Sequence, residues 1–216
     1  MKELVIATQN KKKLEEIREI LKGLDLKITS LVDYSFAPKI VENGVTFRDN
    51  AIKKALKISR FNGKLTLGED SGLCINALGG KPGVYSARFS GKNKSDALNN
   101  QKVLKLLGNL PLSKRRAHYS CAVAIADAGK LIGSVECRCF GRIGFKPRGD
   151  YGFGYDPVFI IPKYKKTFAQ LGPKIKHKMS HRYLALKKAE KIIAGYLKNK
   201  GQCYILKKAA KGGGYG

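Results

Sequence analysis

Residues 3–21 read ELVIATQNKKKLEEIREIL, and the change of period within them decides the fold. Glu3 to Thr8 is a short apolar run of strand character, whereas from Lys11 onward Leu14, Ile17, Ile20 and Leu21 recur at helical spacing until about Gly23. A second apolar run, Leu26 to Val32, follows at the distance expected of a β-α-β unit. The spacing therefore predicts a sheet with helices packed against it.

The same reading extends down the chain. Thr46 with Asp49 resembles a capping box, and Phe47, Ala51, Ala55 and Ile58 continue a helical face to about Phe61. Leu65 to Leu67 reads as a brief strand running into GEDSG (68–72), after which LGGKPGVYSARFSG (78–91) is too glycine-rich for regular structure. Ser95 to Leu107 is helical in pattern, and Tyr119 to Ile143 alternates as a hairpin turning at Asp127 to Lys130. RGDYGFGYDP (148–157) is a second glycine-rich stretch before the strand VFII (158–161), and Ser180 is placed to cap a last helix ending near Gly201. Residues 1–200 are read as one domain and 201–216 as a basic, glycine-rich, partly mobile tail.

With 216 residues, 43% hydrophobic and 27% charged, the chain has the apolar content of a packed fold and lies outside the disordered classes. No apolar run reaches membrane-spanning length, the opening residues are too quickly polar for a signal peptide, and the five cysteines form no CxxC pair. These features place a reduced protein in the cytoplasm, with no membrane contact. Lys and Arg number 43 against 16 Asp and Glu, a net charge of +27 that attracts anions, although lysine-rich solvated faces explain it equally well. Beyond Pro157 the only acid is Glu190, so the acids upstream need a reason of their own.

In an α/β sheet the ligand sits beyond the carboxyl ends of strands, which directs attention to residues 8–13, 68–72 and 149–156. Thr8, Gln9, Asn10, Lys11, Lys12 and Lys13 combine a hydroxyl, amides and ammonium groups with the free N–H groups of a helix N-terminus. That is an anion site, and the lysines oppose the helix dipole unless a polyanion compensates them. Glu69 and Asp70, read as a turn after a strand, suggest Mg²⁺, with Glu42 as a third oxygen ligand. Phe153, Gly154, Tyr155 and Asp156 alternate rings with glycine, which suits a stacked nucleobase. Lys176, His181 and Arg182 are read as donors just before a helix.

Together, ATQNKKKLEEI, TFRDNAIKKA, GEDSGLCINALGGKPGVYSARFSG, GFGYDPVF and SHR resemble, in order and spacing from about Lys2 to Leu197, the inosine triphosphate pyrophosphatase family, also known as XTP/dITP diphosphatases. The resemblance implies Mg²⁺-dependent hydrolysis of ITP, dITP and XTP to the monophosphate and pyrophosphate. It also implies a mixed, twisted α/β sheet flanked by helices, in two lobes with the active cleft between them, and a homodimer. Carried over by position, Thr8, Asn10 and Lys13 match the phosphate loop, Lys54 the helical lysine, and Asp70 the water-activating acid. Glu42, Glu69 and Asp70 fall at or near the metal positions. Ser71 matches a substrate contact, Phe153 to Asp156 the base and ribose segment, and Lys176, His181 and Arg182 the nucleobase end, with Ser86 and Arg88 in support. Gln9 stands where the family often has glycine, and Ile175 where it usually has glutamate.

Two other functions compete. One is a related pyrophosphatase for modified pyrimidine triphosphates, whose serine- and arginine-rich opening this chain lacks. The other is a basic nucleic-acid-binding protein, for which no zinc-finger, RNP or KH pattern is present. Nucleic acid is not an expected partner, the tail being the one segment suited to it.

Overall fold

The computed structural model describes residues 2–34, 36–91 and 95–211, with side chains through Lys200. Strand β1 (Lys2–Ile6), helix α1 (Lys11–Leu21) and strand β2 (Leu26–Ser30) form the expected unit, β1 pairing in parallel with β2. Helix α2 (Phe47–Asn62) follows, then β3 (Leu65–Ile75), α3 (Asp96–Leu107), β4 (Arg116–Asp127), β5 (Lys130–Ile143), β6 (Phe159–Ile161), β7 (Lys166–Thr167), α4 (Phe168–Met179) and α5 (His181–Lys211). The strands form one mixed sheet in the order β2-β1-β3-β4-β5-β6-β7, parallel across β2, β1 and β3 and antiparallel beyond.

Local chemistry explains these elements. Thr46 and Asp49 form a reciprocal capping box at the start of α2, and Gly63 ends that helix at a φ of 67°. The β4–β5 hairpin turns through Ala128 and Gly129, both at positive φ (46° and 79°), as a tight two-residue turn requires.

Packing divides the molecule into two lobes. One face of the sheet buries Leu4, Ile6, Leu67, Val123 and Ile125 against Leu14 and Ile17 of α1 and Ala185 and Leu186 of α5. The opposite face presents Ala122, Ala124 and Ala126 to Phe47, Ala51 and Ala55 of α2, a contact of small residues that brings helix and sheet close. Farther along the same strands a second core gathers Leu73, Ile75, Tyr119, Phe159 and Phe168 around α3 and α4. The long strands β3, β4 and β5 run through both cores.

Three expectations change. GEDSG is no turn: it lies inside the unbroken β3, paired residue by residue with β4. Its glycines serve close approach instead, since a Cβ on Gly68 would sit 2.2 Å from the Ala51 carbonyl oxygen and one on Gly72 2.3 Å from Ser86 Oγ. Secondly, Lys176 does not precede a helix but belongs to α4. Gly172 (φ 73°) and Pro173 break the period of that helix, while Thr167 and Gln170 box its start. Thirdly, helix α5 passes Gly201 and continues to Lys211. The mobility expected of residues 212–216 falls outside the described residues.

Candidate active site

A cleft of about 760 Å³ opens between the lobes. It is lined by Thr8, Gln9, Asn10 and Lys13 at one end, Lys54, Asp70 and Ser71 along its floor, and Phe153 to Asp156 with Lys176, His181 and Arg182 at the other. Topology makes this meeting: α1 begins beyond the carboxyl end of β1, β3 passes beneath, and α5 begins at the cleft wall.

At the first end Asn10 caps α1, its side chain accepting from the Lys13 N–H at 3.1 Å, while its own N–H donates to Thr8 Oγ1 at 3.1 Å. No acid stands in the first turn of α1, so the helix end faces the cleft with hydroxyl, amide and ammonium groups and a positive dipole. Lys13 Nζ reaches Glu69 Oε2 at 2.9 Å. Lys54 lies between two carboxylates, 2.7 Å from Glu42 and 3.4 Å from Asp70, and also donates to the Glu69 carbonyl at 3.1 Å. Asn50 donates to the other Asp70 oxygen at 3.0 Å, its orientation set by the Gly44 N–H bonded to Oδ1 at 2.8 Å.

At the second end charges alternate in a buried ladder. Asp156 pairs with Lys176 at 2.7 Å, Lys176 with Glu16 at 2.8 Å, Glu16 with Arg182, and Arg182 with Glu69 at 3.1 Å, which returns to Lys13. Arg182 also donates to Ser71 Oγ at 3.0 Å. The Phe153 ring covers the two cations, its centroid 4.6 Å from Lys176 Nζ and 5.6 Å from Arg182 Cζ. His181 stacks on Tyr119 at 4.5 Å with an interplanar angle of 7°. His181 Nδ1 and Arg182 Nε are buried without a partner among the described residues, so this end holds polar groups that the protein alone leaves unused.

The ladder sets protonation. Burial alone would raise Glu69, but Lys13 and Arg182 outweigh it and hold the carboxyl well below its usual range; for Glu16, too, burial is outweighed by Arg182 and Lys176, which lower it. Asp70 goes the other way, burial raising it against the pull of Lys54. Burial, assisted by Arg182 and Lys176, pushes His181 well below the ordinary imidazole range, so it is neutral at pH 7. Lys54 is cationic, because Asp70 and Glu42 more than offset its burial.

Of the expected residues, Lys11 and Lys12 stand exposed on the first turn of α1 and do not line the cleft. Glu69 lies behind the cleft wall, 2% exposed, engaged by Lys13, Arg182 and the Cys121 thiol. Among the described residues no group of three or more His, Cys, Asp and Glu side chains is arranged to hold a metal ion. Ser86 serves the scaffold, accepting the Leu73 N–H at 2.9 Å, and Arg88 donates to the Glu42 carbonyl at 3.4 Å. Sequence reasoning missed Glu16, Asn50 and Tyr119. The polar residues Glu16 and Asn50 sit on buried helix faces, at 9% and 1% exposure, and that mismatch was the available signal.

Known proteins carry the same architecture. Residues 4–192 match the Ham1 family. The dITP/XTP pyrophosphatase of Desulforamulus reducens is 47% identical over 190 residues, covering 88% of this chain and 94% of that protein. The protein of the same name from Bacillus subtilis is 44% identical over 193 residues, covering 89% and 98%. Among solved structures, a HAM1 protein from Coxiella burnetii superposes with a TM-score of 0.82 at 40% identity, covering 90% of this chain and all of that one. The Staphylococcus aureus Ham1 protein gives 0.81 at 35% identity, with the same coverage. Sequence and fold agree, and the chain belongs to the Ham1 family.

Proposed function

We propose that the protein is a nucleoside triphosphate pyrophosphatase that cleaves altered purine triphosphates, dITP, XTP and ITP, to the monophosphate and pyrophosphate. The observation that carries this reading is the polarity of one cleft. A helix N-terminus with Thr8, Asn10 and Lys13 suits a triphosphate at one end, and an aromatic ring over buried cations, with the unpartnered Arg182 Nε–H nearby, suits a 6-oxopurine at the other. The names of the relatives support it. A pyrimidine-directed pyrophosphatase or a nucleic-acid-binding protein accounts less well for a cleft with these two ends.

Asp70 is assigned to orient and deprotonate the attacking water. It lies on the cleft floor beside Lys54, and its burial raises its basicity. Lys13 and Lys54 neutralise phosphate oxygens, and Thr8, Gln9 and Asn10 fix the chain of phosphates with Lys11 and Lys12 adding charge at the mouth. Phe153, Gly154, Tyr155 and Asp156 hold base and ribose. Arg182 offers a donor to the purine 6-oxygen, and facing an adenine amino group the same donor would lose its partner, at about 1–3 kcal/mol. His181, held neutral, adds a ring wall without charge, and Lys176 and Ser71 complete that end.

Asp70 and Glu42 fit a Mg²⁺ ion: both are hard oxygen donors on the cleft and share a single ammonium, and Mg²⁺ takes one or two carboxylates together with phosphate oxygens. Glu69 would first have to release Lys13, so we assign it to positioning Lys13 and Arg182. Bound there, Mg²⁺ would withdraw charge from the phosphates and acidify water. A homodimer is part of the proposal, to be read by sedimentation.

The test is pyrophosphate release from ITP, XTP, dITP, ATP, GTP and dUTP with Mg²⁺ and with EDTA. Metal-dependent cleavage of ITP or XTP well ahead of ATP and GTP is expected. Equal rates across all bases, or survival of every triphosphate, would overturn the reading.

A further inference from the structure

Helix α3 contributes Asp96 to the cleft lining, and one of its turns grips the loop carrying Phe153. Asp96 Oδ2 accepts the Gly154 N–H at 2.8 Å, and Asn100, one turn later, donates from Nδ2 to the Gly154 carbonyl at 2.9 Å. Residues four apart lie on one helix face, so the pair holds Gly154 from both polar sides. The adjacent Asn99 accepts the Ser90 N–H at 2.7 Å, which ties the helix to the end of the 83–91 segment. Asn99 and Asn100 are 2% and 4% exposed. Asparagine is a poor helix former and costly to bury, and Asn100 Oδ1 has no partner among the described residues. A helix carrying two such residues for packing alone would be better served by leucine or alanine.

What they hold is a backbone that cannot hold itself. Gly152 (φ 82°) and Gly154 (φ 63°) both occupy the left-handed region, and a Cβ on Gly152 would lie 2.1 Å from Asp156 Oδ2. Within the loop, the Phe153 N–H donates to Asp156 Oδ2 at 2.9 Å, and Asp156 in turn takes Lys176. The Tyr155 hydroxyl donates to the Ser86 carbonyl at 2.8 Å, a second tie to the 83–91 segment. Fixing Gly154 therefore fixes both the height of the Phe153 ring over Lys176 and Arg182 and the point at which Asp156 meets Lys176.

We infer that Asp96 and Asn100 are positioning residues for base selectivity: through the Gly154 peptide they hold the Phe153 ring and Asp156 at the distance a purine needs. The inference rests on the reading of Phe153 to Asp156 as the base-binding segment. If the ring is free to shift, every triphosphate still reaches the phosphate end, but the 6-oxygen is no longer presented to its donor.

The experiment measures kcat/KM for ITP and for ATP in Asp96→Ala, Asp96→Asn, Asn100→Ala and Phe153→Ala, with thermal unfolding of each. Asp96→Ala and Asn100→Ala are expected to lower the ITP-to-ATP ratio about tenfold, chiefly through KM for ITP. Asp96→Asn, which keeps an acceptor for the Gly154 N–H, should bring the ratio back to within about twofold of the parent. A purely structural role would lower both substrates together and leave the ratio fixed, which would overturn the inference; so would an Asp96→Asn ratio as low as that of Asp96→Ala. Phe153→Ala separates the two levels. If it leaves the ratio intact, the base-segment reading itself is wrong. If it collapses the ratio while both alanine variants on α3 retain it, only the role of α3 fails.

Discussion

Arg182 and Glu69 are 113 positions apart in sequence and meet at 3.1 Å with 2% and 1% of their side chains exposed. Both also serve others, Arg182 bonding Glu16 and Ser71, and Glu69 bonding Lys13. Removing one member of a buried pair strands its partner in a low-dielectric interior, which typically costs about 3–5 kcal/mol. Arg182→Met keeps the volume and leaves Glu16 with Lys176 and Glu69 with Lys13 as their remaining cationic partners. Its unfolding free energy should fall by up to that amount, read as a lower urea midpoint, and an unchanged midpoint would mean that the ladder contributes little to the fold.

Asp70 offers the opposite balance. Burial raises its pKa, so its ionised form costs stability in the folded state, while Lys54 keeps Glu42 at 2.7 Å whether or not Asp70 is charged. Asp70→Asn should therefore unfold at the same urea concentration as the parent at pH 7, or a higher one, and lose about 10²–10⁴-fold in turnover. Near-normal hydrolysis in this variant removes Asp70 from the chemistry.

Gly68 shows how a residue can be conspicuous for the wrong reason. An added methyl group would meet the backbone of α2, at 2.2 Å from the Ala51 oxygen and 2.6 Å from the Ala55 nitrogen, and backbone cannot swing aside as a side-chain tip can. Gly68→Ala should destabilise by at least about 1–3 kcal/mol and displace the neighbouring Glu69 and Asp70, so that activity falls with stability. A soluble, fully active Gly68→Ala protein would mean that α2 yields easily.

What the sequence made legible follows from range. The first strand and α1, the capped α2 and the 130s hairpin are written in local periods and caps, and each formed as read. GEDSG misled because glycine in a turn and glycine under a crossing helix look alike until the helix is placed, and that placement is a long-range fact. The break at Gly172 and Pro173 hid α4 by interrupting its period. In the cleft, residues at strand ends and helix starts were readable because topology dictates where they point. Glu16 and Asn50 could be found only by noticing a carboxylate and an amide on helix faces that bury everything else, and their partners lie at Lys176, Arg182 and Asp70.

His181 supplies a test of electrostatics that needs no substrate. Its pKa is depressed, first by burial and then by Arg182 and Lys176, and its ring stacks on Tyr119. An unfolded chain binds a proton on this imidazole below about pH 6.5, whereas the folded chain does not until far lower. The stability it contributes is thus complete above about pH 6.5 and lost as pH falls toward the depressed value, at up to about 1.4 kcal/mol per pH unit. His181→Phe keeps a ring on Tyr119 and removes the proton. The unfolding free energy of the parent minus that of the variant should decrease steadily as pH falls from 7.5 to about pH 5, a range given by that unfolded-state pKa. Other groups, including His118, titrate in both proteins and cancel in the difference. Parallel curves for the two proteins would show that His181 takes up its proton in the folded state, and that the base end of the cleft carries one more positive charge than its geometry assigns.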